Sequence, residues 1–168
     1  MNFINFEKMA CERAQMLQAF LSQGSMFPND LKITNSIRFN PLTLLPDIVH
    51  ACNMYDFTRA HITHAVQYRG TDYKEGQFLP LNLNNETFQV TFGQVILIVI
   101  SRESPYFVCI LRNSIYNEET ALYSLEMGES PIYNCVHYSQ LLDYYPLNGY
   151  TLHNETLITL KHQYGYCY

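Results

Sequence analysis

The chain has 168 residues and a formal net charge of −5, with 48% apolar and 15% charged residues. This balance is typical of a globular protein of about one domain and excludes a disordered chain. The acidic charge argues against a strongly basic nucleic-acid-binding protein. No run of about 18 apolar residues predicts a transmembrane helix. The first residues also lack the basic and then apolar pattern of a signal peptide, so we expect a soluble, intracellular protein, nuclear or cytoplasmic.

The amino-terminal part of the sequence predicts helices. Apolar residues recur at helical spacing over residues 6–23 (Met9, Leu17, Phe20 and Leu21), and residues 47–66 carry a second, less regular apolar face. Three prolines interrupt the chain between these two segments, which predicts a loop there.

The rest of the chain has the pattern of strands and turns. Residues 92–100 are almost wholly apolar, which predicts a buried central strand, and residues 106–111 follow a short turn as its hairpin partner. Further strands are expected at 121–126 and 132–138, with a helical turn over 139–147. A last hairpin is expected within residues 149–162.

These elements predict an α+β fold in which amino-terminal helices pack on a small antiparallel β-barrel of SH3-like type, or on a curled sheet. The change of pattern divides the chain into a helical segment, residues 1–66, and a β-rich module, residues 67–168. The two parts form either separate domains or one integrated domain, since the sequence fits both arrangements.

Charge and tyrosine are concentrated in the second part. Residues 1–60 hold five basic and five acidic residues, whereas residues 61–168 hold five basic and ten acidic residues and thirteen of the fourteen tyrosines. An acidic, tyrosine-rich surface suits a basic or amphipathic protein partner. The alternative is that the acidic residues only keep a tyrosine-rich surface soluble.

Several short segments of the β-rich part carry a family resemblance. The segments Tyr73-Lys74-Glu75-Gly76-Gln77-Phe78 and Phe92-Gly93-Gln94-Val95, with residues 141–147 and 157–162, resemble a module found near the carboxyl termini of uncharacterised, transposon-derived animal proteins. The resemblance covers residues 66–164 and implies mobile-element ancestry without implying an activity. The first two segments are also similar to the opening strands of SH3-like barrels, such as the bromo-adjacent homology and tudor domains, which often bind chromatin peptides.

One group of candidate metal ligands occurs in the sequence. Four candidate zinc ligands lie close in sequence, His50, Cys52, His61 and His64, but their spacing fits no common closed zinc finger, and the same positions suit a helix surface and core. We therefore assign no metal and no cofactor. The five cysteines are scattered without a C-x-x-C pair, which predicts reduced, buried thiols.

Motifs for catalysis are equally scarce. The sequence contains no G-x-S-x-G motif and no glycine-rich phosphate loop. No cysteine lies in an electropositive context that would activate its thiol. We therefore expect a protein without enzymatic activity.

The candidate binding residues are tyrosines beside predicted turns, with acidic neighbours. A tyrosine offers a large apolar face and a polar tip, and beside a carboxylate it can hold a lysine or an arginine. The sequence predicts an interaction surface formed by Tyr73, Tyr106, Tyr144, Tyr145, Glu75 and Asp143.

Two other functions fit the same sequence. A nucleic-acid-binding remnant of a mobile element would require the basic side chains Arg38, Arg59, Arg69, Lys74 and Lys161 to converge. A self-assembling structural protein would use the first helix or an open sheet edge as the contact between copies. Membrane association is not expected, because the predicted first helix has no basic face.

Overall fold

The computed structural model describes residues 31–84, 89–126, 128, 130–153 and 155–159. These residues belong to one compact unit, Asp30–Lys161. Its strands are β1 (Leu31–Ile33), β2 (Ile37–Arg38), β3 (His61–Thr63), β4 (Ala65–Tyr68), β5 (Thr71–Lys74), β6 (Phe78–Leu83), β7 (Val90–Ser101), β8 (Ser104–Asn117), β9 (Leu122–Leu125), β10 (Tyr133–His137), β11 (Gly149–Leu152) and β12 (Glu155–Ile158). One α-helix, α1 (Pro46–Cys52), and two 3-10 helices, Pro41–Thr43 and Tyr138–Gln140, complete the described structure.

The hairpin of β7 and β8 is the centre of the fold. The two strands pair antiparallel from Thr91 with Asn113 to Ser101 with Ser104. Arg102 and Glu103, which connect them, both have positive φ angles of 50° and 60°. This conformation is that of the two-residue turn whose twist matches paired strands. The predicted central strand and its hairpin partner are therefore confirmed.

The two long strands organise a large antiparallel sheet of nine strands. Its main order is β11-β12-β9-β8-β7-β3-β2, while β6 also pairs with β7 and β10 also pairs with β8. Strands β3 and β6 pair with different parts of β7, and β9 and β10 with different parts of β8. A separate sheet of three strands has the order β1-β4-β5.

Both faces of the central hairpin are buried, which explains why residues 92–100 are apolar without alternation. Ile98, Ile100 and Phe107 belong to a first core cluster that also contains residues of β4, β5 and β6. Leu97, Val99 and Val108, which point to the opposite face, belong to a second cluster with α1 and the segment that follows it.

The predicted fold class is wrong. The described structure is 54% strand and 11% helix, and its large sheets do not close into a barrel. It is therefore mostly β, rather than helices packed on a small SH3-like barrel. The helix expected over residues 6–23 lies outside the described residues, and the division after residue 66 stays a prediction.

The second predicted helix is also wrong over most of its length. It ends at Cys52, and residues 61–66 form β3 and the start of β4. The carboxylate of Asp56 accepts hydrogen bonds from the backbone N–H and the hydroxyl of Thr58, which fixes a turn that a helix cannot continue through.

The other predicted elements have mixed outcomes. Strands near 121–126 and 132–138 and the last hairpin, within the described residues, are confirmed as β9, β10 and the pair β11–β12. Residues 139–147 form a helical turn only at their start. Within the described part of the chain, no helix is long and apolar enough to cross a membrane.

Candidate functional site

A short segment after the second 3-10 helix brings together most of the candidate binding residues. We call residues 141–147 the tyrosine loop. Leu142 N–H donates to the carbonyl of Pro80 at 3.0 Å, and Leu147 exchanges backbone hydrogen bonds with Phe78 at 2.8 and 2.9 Å. Leu141 and Leu147 are buried. The loop is therefore fixed to β6 near both of its ends.

Tyr73 supports this loop from the inside of the protein. Its side chain is fully buried in the first core cluster, and its hydroxyl donates a hydrogen bond of 2.6 Å to the carbonyl of Tyr144. Burial, together with the nearby Tyr138, raises the pKa of Tyr73 far above its usual value. Tyr73 therefore positions the loop and is not part of the exposed surface.

Three tyrosines, one of which belongs to the loop, form a cluster. The rings of Tyr138 and Tyr144 are stacked, with centroids 4.6 Å apart, and the ring of Tyr68 meets Tyr138 edge-on at 4.7 Å. The guanidinium group of Arg69 lies 5.3 Å from the centroid of Tyr68 and 5.5 Å from that of Tyr138. Burial raises the pKa of Tyr138 to about 12.

Arg69 is a neighbour of the tyrosine cluster that was not among the predicted binding residues. It occupies the turn between β4 and β5 with a φ of 51°, followed by Gly70 with a φ of 78°. Two successive positive φ angles are the pattern of a tight hairpin turn, which glycine at the second position favours. The sequence Tyr68-Arg69-Gly70 at the end of β4 is the pattern from which this turn could have been predicted.

The exposed part of the tyrosine loop is apolar and acidic. Leu142 is 40% exposed and Tyr145 is 52% exposed, and Asp143 between them is half-buried. A carboxylate oxygen of Asp143 accepts a hydrogen bond of 3.1 Å from the backbone N–H of Tyr145. This hydrogen bond helps to hold the loop in its observed conformation.

Two of the predicted residues lie in other places. The half-buried ring of Tyr106 packs against Tyr55, Phe57 and His137, at centroid distances of 4.8, 5.0 and 4.7 Å. Glu75 is exposed and pairs with His64, with a carboxylate oxygen 2.6 Å from Nδ1. The structure thus brings together Tyr73, Asp143, Tyr144 and Tyr145, while Tyr106 and Glu75 have separate surroundings.

His137 forms a cap at the start of the second 3-10 helix. Its Nδ1 accepts a hydrogen bond from the backbone N–H of Ser139 at 3.3 Å. Its Nδ1 also lies 2.7 Å from the hydroxyl oxygen of Ser139, and its Nε2 lies 2.7 Å from that of Ser104. The ring therefore links β8 to the start of this 3-10 helix.

The stability of the fold is expected to depend on the protonation of His137. Burial and the nearby Arg69 lower its pKa below the usual 6.5. The unfolded chain then binds the proton more strongly, so the stabilisation is present above about pH 6.5 and is lost as the pH falls through the pKa of the folded state. Urea denaturation between about pH 8 and pH 5 measures this. His137→Gln should lose less stability on acidification than the wild type. The control is His50→Gln, because His50 is exposed, and this variant should lose as much stability as the wild type. An equal slope in His137→Gln and wild type would contradict the prediction.

Within the described residues, the four candidate zinc ligands do not form one site, and neither do the basic side chains named for nucleic-acid binding. Cys52 is buried, His64 pairs with Glu75, and no group of three or more metal-ligating side chains occurs within the described residues. Arg69 and Lys74 lie at opposite ends of the β4–β5 hairpin. Lys161 lies outside the described residues.

Comparison with protein-family models, with curated proteins and with solved structures finds no match to this chain. The resemblance to a transposon-derived module and the likeness to SH3-like barrel sequences therefore stay predictions. The fold and the tyrosine loop are the observations from which a function can be argued.

Proposed function

We propose that the chain is a protein-interaction module that binds a basic or amphipathic partner through the tyrosine loop and has no catalytic activity. The observation that carries the proposal is the exposure of Leu142 and Tyr145 on a segment whose two ends are fixed to β6. An apolar surface that is already ordered loses little conformational entropy on binding, which favours affinity.

The chemistry of the neighbouring groups supports a basic partner. In the sequence, the half-buried Asp143 lies between the exposed Leu142 and Tyr145, and its carboxylate accepts a hydrogen bond from the backbone N–H of Tyr145. Arg69 already lies over the rings of Tyr68 and Tyr138, so tyrosines of this cluster accept a guanidinium group at their faces. A lysine or an arginine of a partner would contact Tyr145 and Asp143 in the same manner.

The net charge of the chain supports the same choice of partner. The excess of acidic residues is confined to residues 61–168, which include the tyrosine loop. Complementary charge accelerates association and favours basic partners over acidic ones. A basic nuclear protein fits these requirements, and we include mobile-element ancestry in the proposal as the context implied by the resemblance.

The first test is a titration of isotope-labelled full-length protein with a pool of basic peptides, followed by two-dimensional NMR, with a short DNA duplex in a parallel sample. Shifts centred on the tyrosine loop and caused by the peptides alone are expected. Shifts caused by the duplex alone would favour the nucleic-acid-binding function instead. No shift with either sample would contradict a basic partner, and light scattering would then test self-assembly.

Tyr145→Ala should weaken binding of the best peptide about tenfold, which is the loss of a moderate interface contact. Its free energy of unfolding should change by no more than about 0.5 kcal/mol, because the ring is half exposed. Tyr150→Ala is the matched control, since Tyr150 lies on β11 and is 48% exposed. Equal losses of affinity in both variants would refute the assignment of the surface.

A further inference from the structure

An open cleft lies on the opposite side of the large sheet from the first core cluster. It has a volume of about 750 Å³, and its lining includes Arg38, Phe39, Val49, Cys52 and Phe57. These residues belong to the end of β2 and the residue after it, to α1 and to the segment that follows α1. Cys52 is the last residue of α1 and one of the residues that line the cleft.

A second cysteine lies directly behind Cys52. Cys135 is on β10, and both cysteines belong to the second core cluster, where each is 3% exposed. Both are free thiols, α1 packs against β10, and the two side chains are close enough for each thiol to influence the pKa of the other. Of the two, Cys52 lines the cleft, so a small molecule that enters the cleft reaches Cys52 first.

The pair is also chemically asymmetric. Contact with the side chain of Cys135 lowers the pKa of Cys52, whereas the same contact and burial raise the pKa of Cys135. A thiolate is the form that reacts with oxidants, and of the two cysteines Cys52 is the one that lines the cleft. The cleft is also lined by one basic and one acidic residue, Arg38 and Asp56.

We propose that Cys52 and Cys135 form a peroxide-sensitive thiol pair, in which Cys52 is oxidised first and Cys135 then closes a reversible disulfide. The thiolate of Cys52 attacks one oxygen of hydrogen peroxide, the O–O bond breaks, and the departing hydroxide takes a proton to become water. Cys52 is then a sulfenic acid. The sulfur of Cys135, as it loses its proton, attacks the sulfur of Cys52, the S–O bond breaks, and a second water leaves. Two thiols are oxidised by two electrons, and one peroxide is reduced to two waters.

The disulfide has a structural consequence. It joins the end of α1, a helix of seven residues, to β10 across a long stretch of chain. A covalent link of this kind restricts the unfolded chain and raises stability. The oxidised protein should therefore unfold at a higher temperature than the reduced protein, and dithiothreitol should reverse the increase. This inference is independent of the proposed binding of a basic partner.

Cys109 provides an internal comparison. It lies on the neighbouring strand β8 but belongs to the first core cluster, on the opposite face of the sheet, and it is fully buried. Burial raises its pKa well above the usual value for a cysteine. It has neither access to the cleft nor an acidic thiol, so it should remain reduced under conditions that oxidise Cys52.

The test treats reduced full-length protein with a small excess of hydrogen peroxide, blocks the remaining thiols with an alkylating reagent, and maps the peptides by mass spectrometry. The expected result is a linked Cys52–Cys135 peptide pair lighter by two hydrogen atoms, while Cys109 is alkylated after unfolding. In Cys135→Ser, the sulfenic acid on Cys52 should persist and react with dimedone, and in Cys52→Ser, Cys135 should stay reduced. Cys109→Ser should form the link as the wild type does.

Two results would overturn the proposal. One is wild-type protein in which Cys52 and Cys135 remain reduced after treatment, while a peroxide-sensitive reference protein in the same sample is oxidised. The other is oxidation of Cys109 to the same extent as Cys52, which would show reactivity without selection by the cleft. Because both results come from the wild type, the test stands even if a serine variant fails to fold.

Discussion

Phe107→Ala is expected to lower the free energy of unfolding by about 3–5 kcal/mol, the usual cost of removing a buried aromatic ring. Phe107 is fully buried on β8, and its ring centroid lies 4.9 Å from that of Tyr73. The cavity left behind would lie in the first core cluster, where the central hairpin meets β4 and β5. Both strands of the central hairpin fix the surrounding backbone, so the cavity cannot collapse easily.

Urea denaturation followed by far-ultraviolet circular dichroism measures this change. Ile115→Ala is the control on the same strand, because Ile115 is 53% exposed and its truncation should cost no more than about 0.5 kcal/mol. If Phe107→Ala does not fold, Phe107→Leu should fold with a smaller loss. A loss in Phe107→Ala as small as that in Ile115→Ala would show that this cluster is not the core of the folded protein.

The central hairpin illustrates what the sequence predicts well. A long apolar run, a short turn and a second apolar run are local signals, and the strands they predict lie within β7 and β8. The same argument succeeds for the last hairpin within the described residues. In each case the partner strand is adjacent in sequence, so no long-range information is required.

The second predicted helix failed for a reason that is visible in its residues. Ile62 and Val66 are four residues apart, a spacing that places them on one face of a helix and also on one face of an extended strand. In the structure both are buried, Ile62 on β3 and Val66 on β4. The turn residue Asp56 before this segment and the β-branched Thr63 within it favour strands. These signals are weaker than the apolar spacing that predicted a helix.

Closure of the sheet was not predictable from the strand pattern. A run of six or seven short strands fits a barrel or an open sheet equally well. The outcome depends on which edges meet, and here one edge of β7 pairs with both β3 and β6. Such sharing is a long-range property that no local pattern encodes.

The role of the candidate residues stays a prediction, but their burial can be compared with the signals in the sequence. Tyr145, beside a predicted turn, is exposed, whereas Tyr73 is buried. The sequence Asp72-Tyr73-Lys74 on β5 alternates polar, apolar and polar residues, so alternation predicts an inward-facing Tyr73. Its contact with the carbonyl of Tyr144 joins positions 71 residues apart, which only the folded chain reveals.

Gly93→Ala is the second substitution with a large expected effect, a loss of about 1–3 kcal/mol in the free energy of unfolding. A Cβ atom at this position on β7 would lie 2.7 Å from Cδ1 of Leu81 and 2.8 Å from Cβ of Cys109. The side chain of Leu81 can rotate away, but the Cβ of Cys109 is fixed by the backbone of β8. The added methyl group must therefore separate two paired strands or distort one of them.

The control for Gly93→Ala is Gly128→Ala, where the nearest atom to an added Cβ is a carbonyl oxygen of Ser130 at 3.6 Å, an ordinary contact. Replacing glycine by alanine also reduces the freedom of the unfolded chain, which by itself stabilises a protein by about 0.4–1 kcal/mol. Gly128→Ala should therefore be neutral or slightly stabilising, and Gly93→Ala should be destabilising despite the same gain. Urea denaturation of both variants separates the steric effect in the folded protein from the effect on the unfolded chain, since both unfolded chains gain the same methyl group. If Gly93→Ala were as stable as Gly128→Ala, then β6, β7 and β8 would not pack as closely as the structure places them.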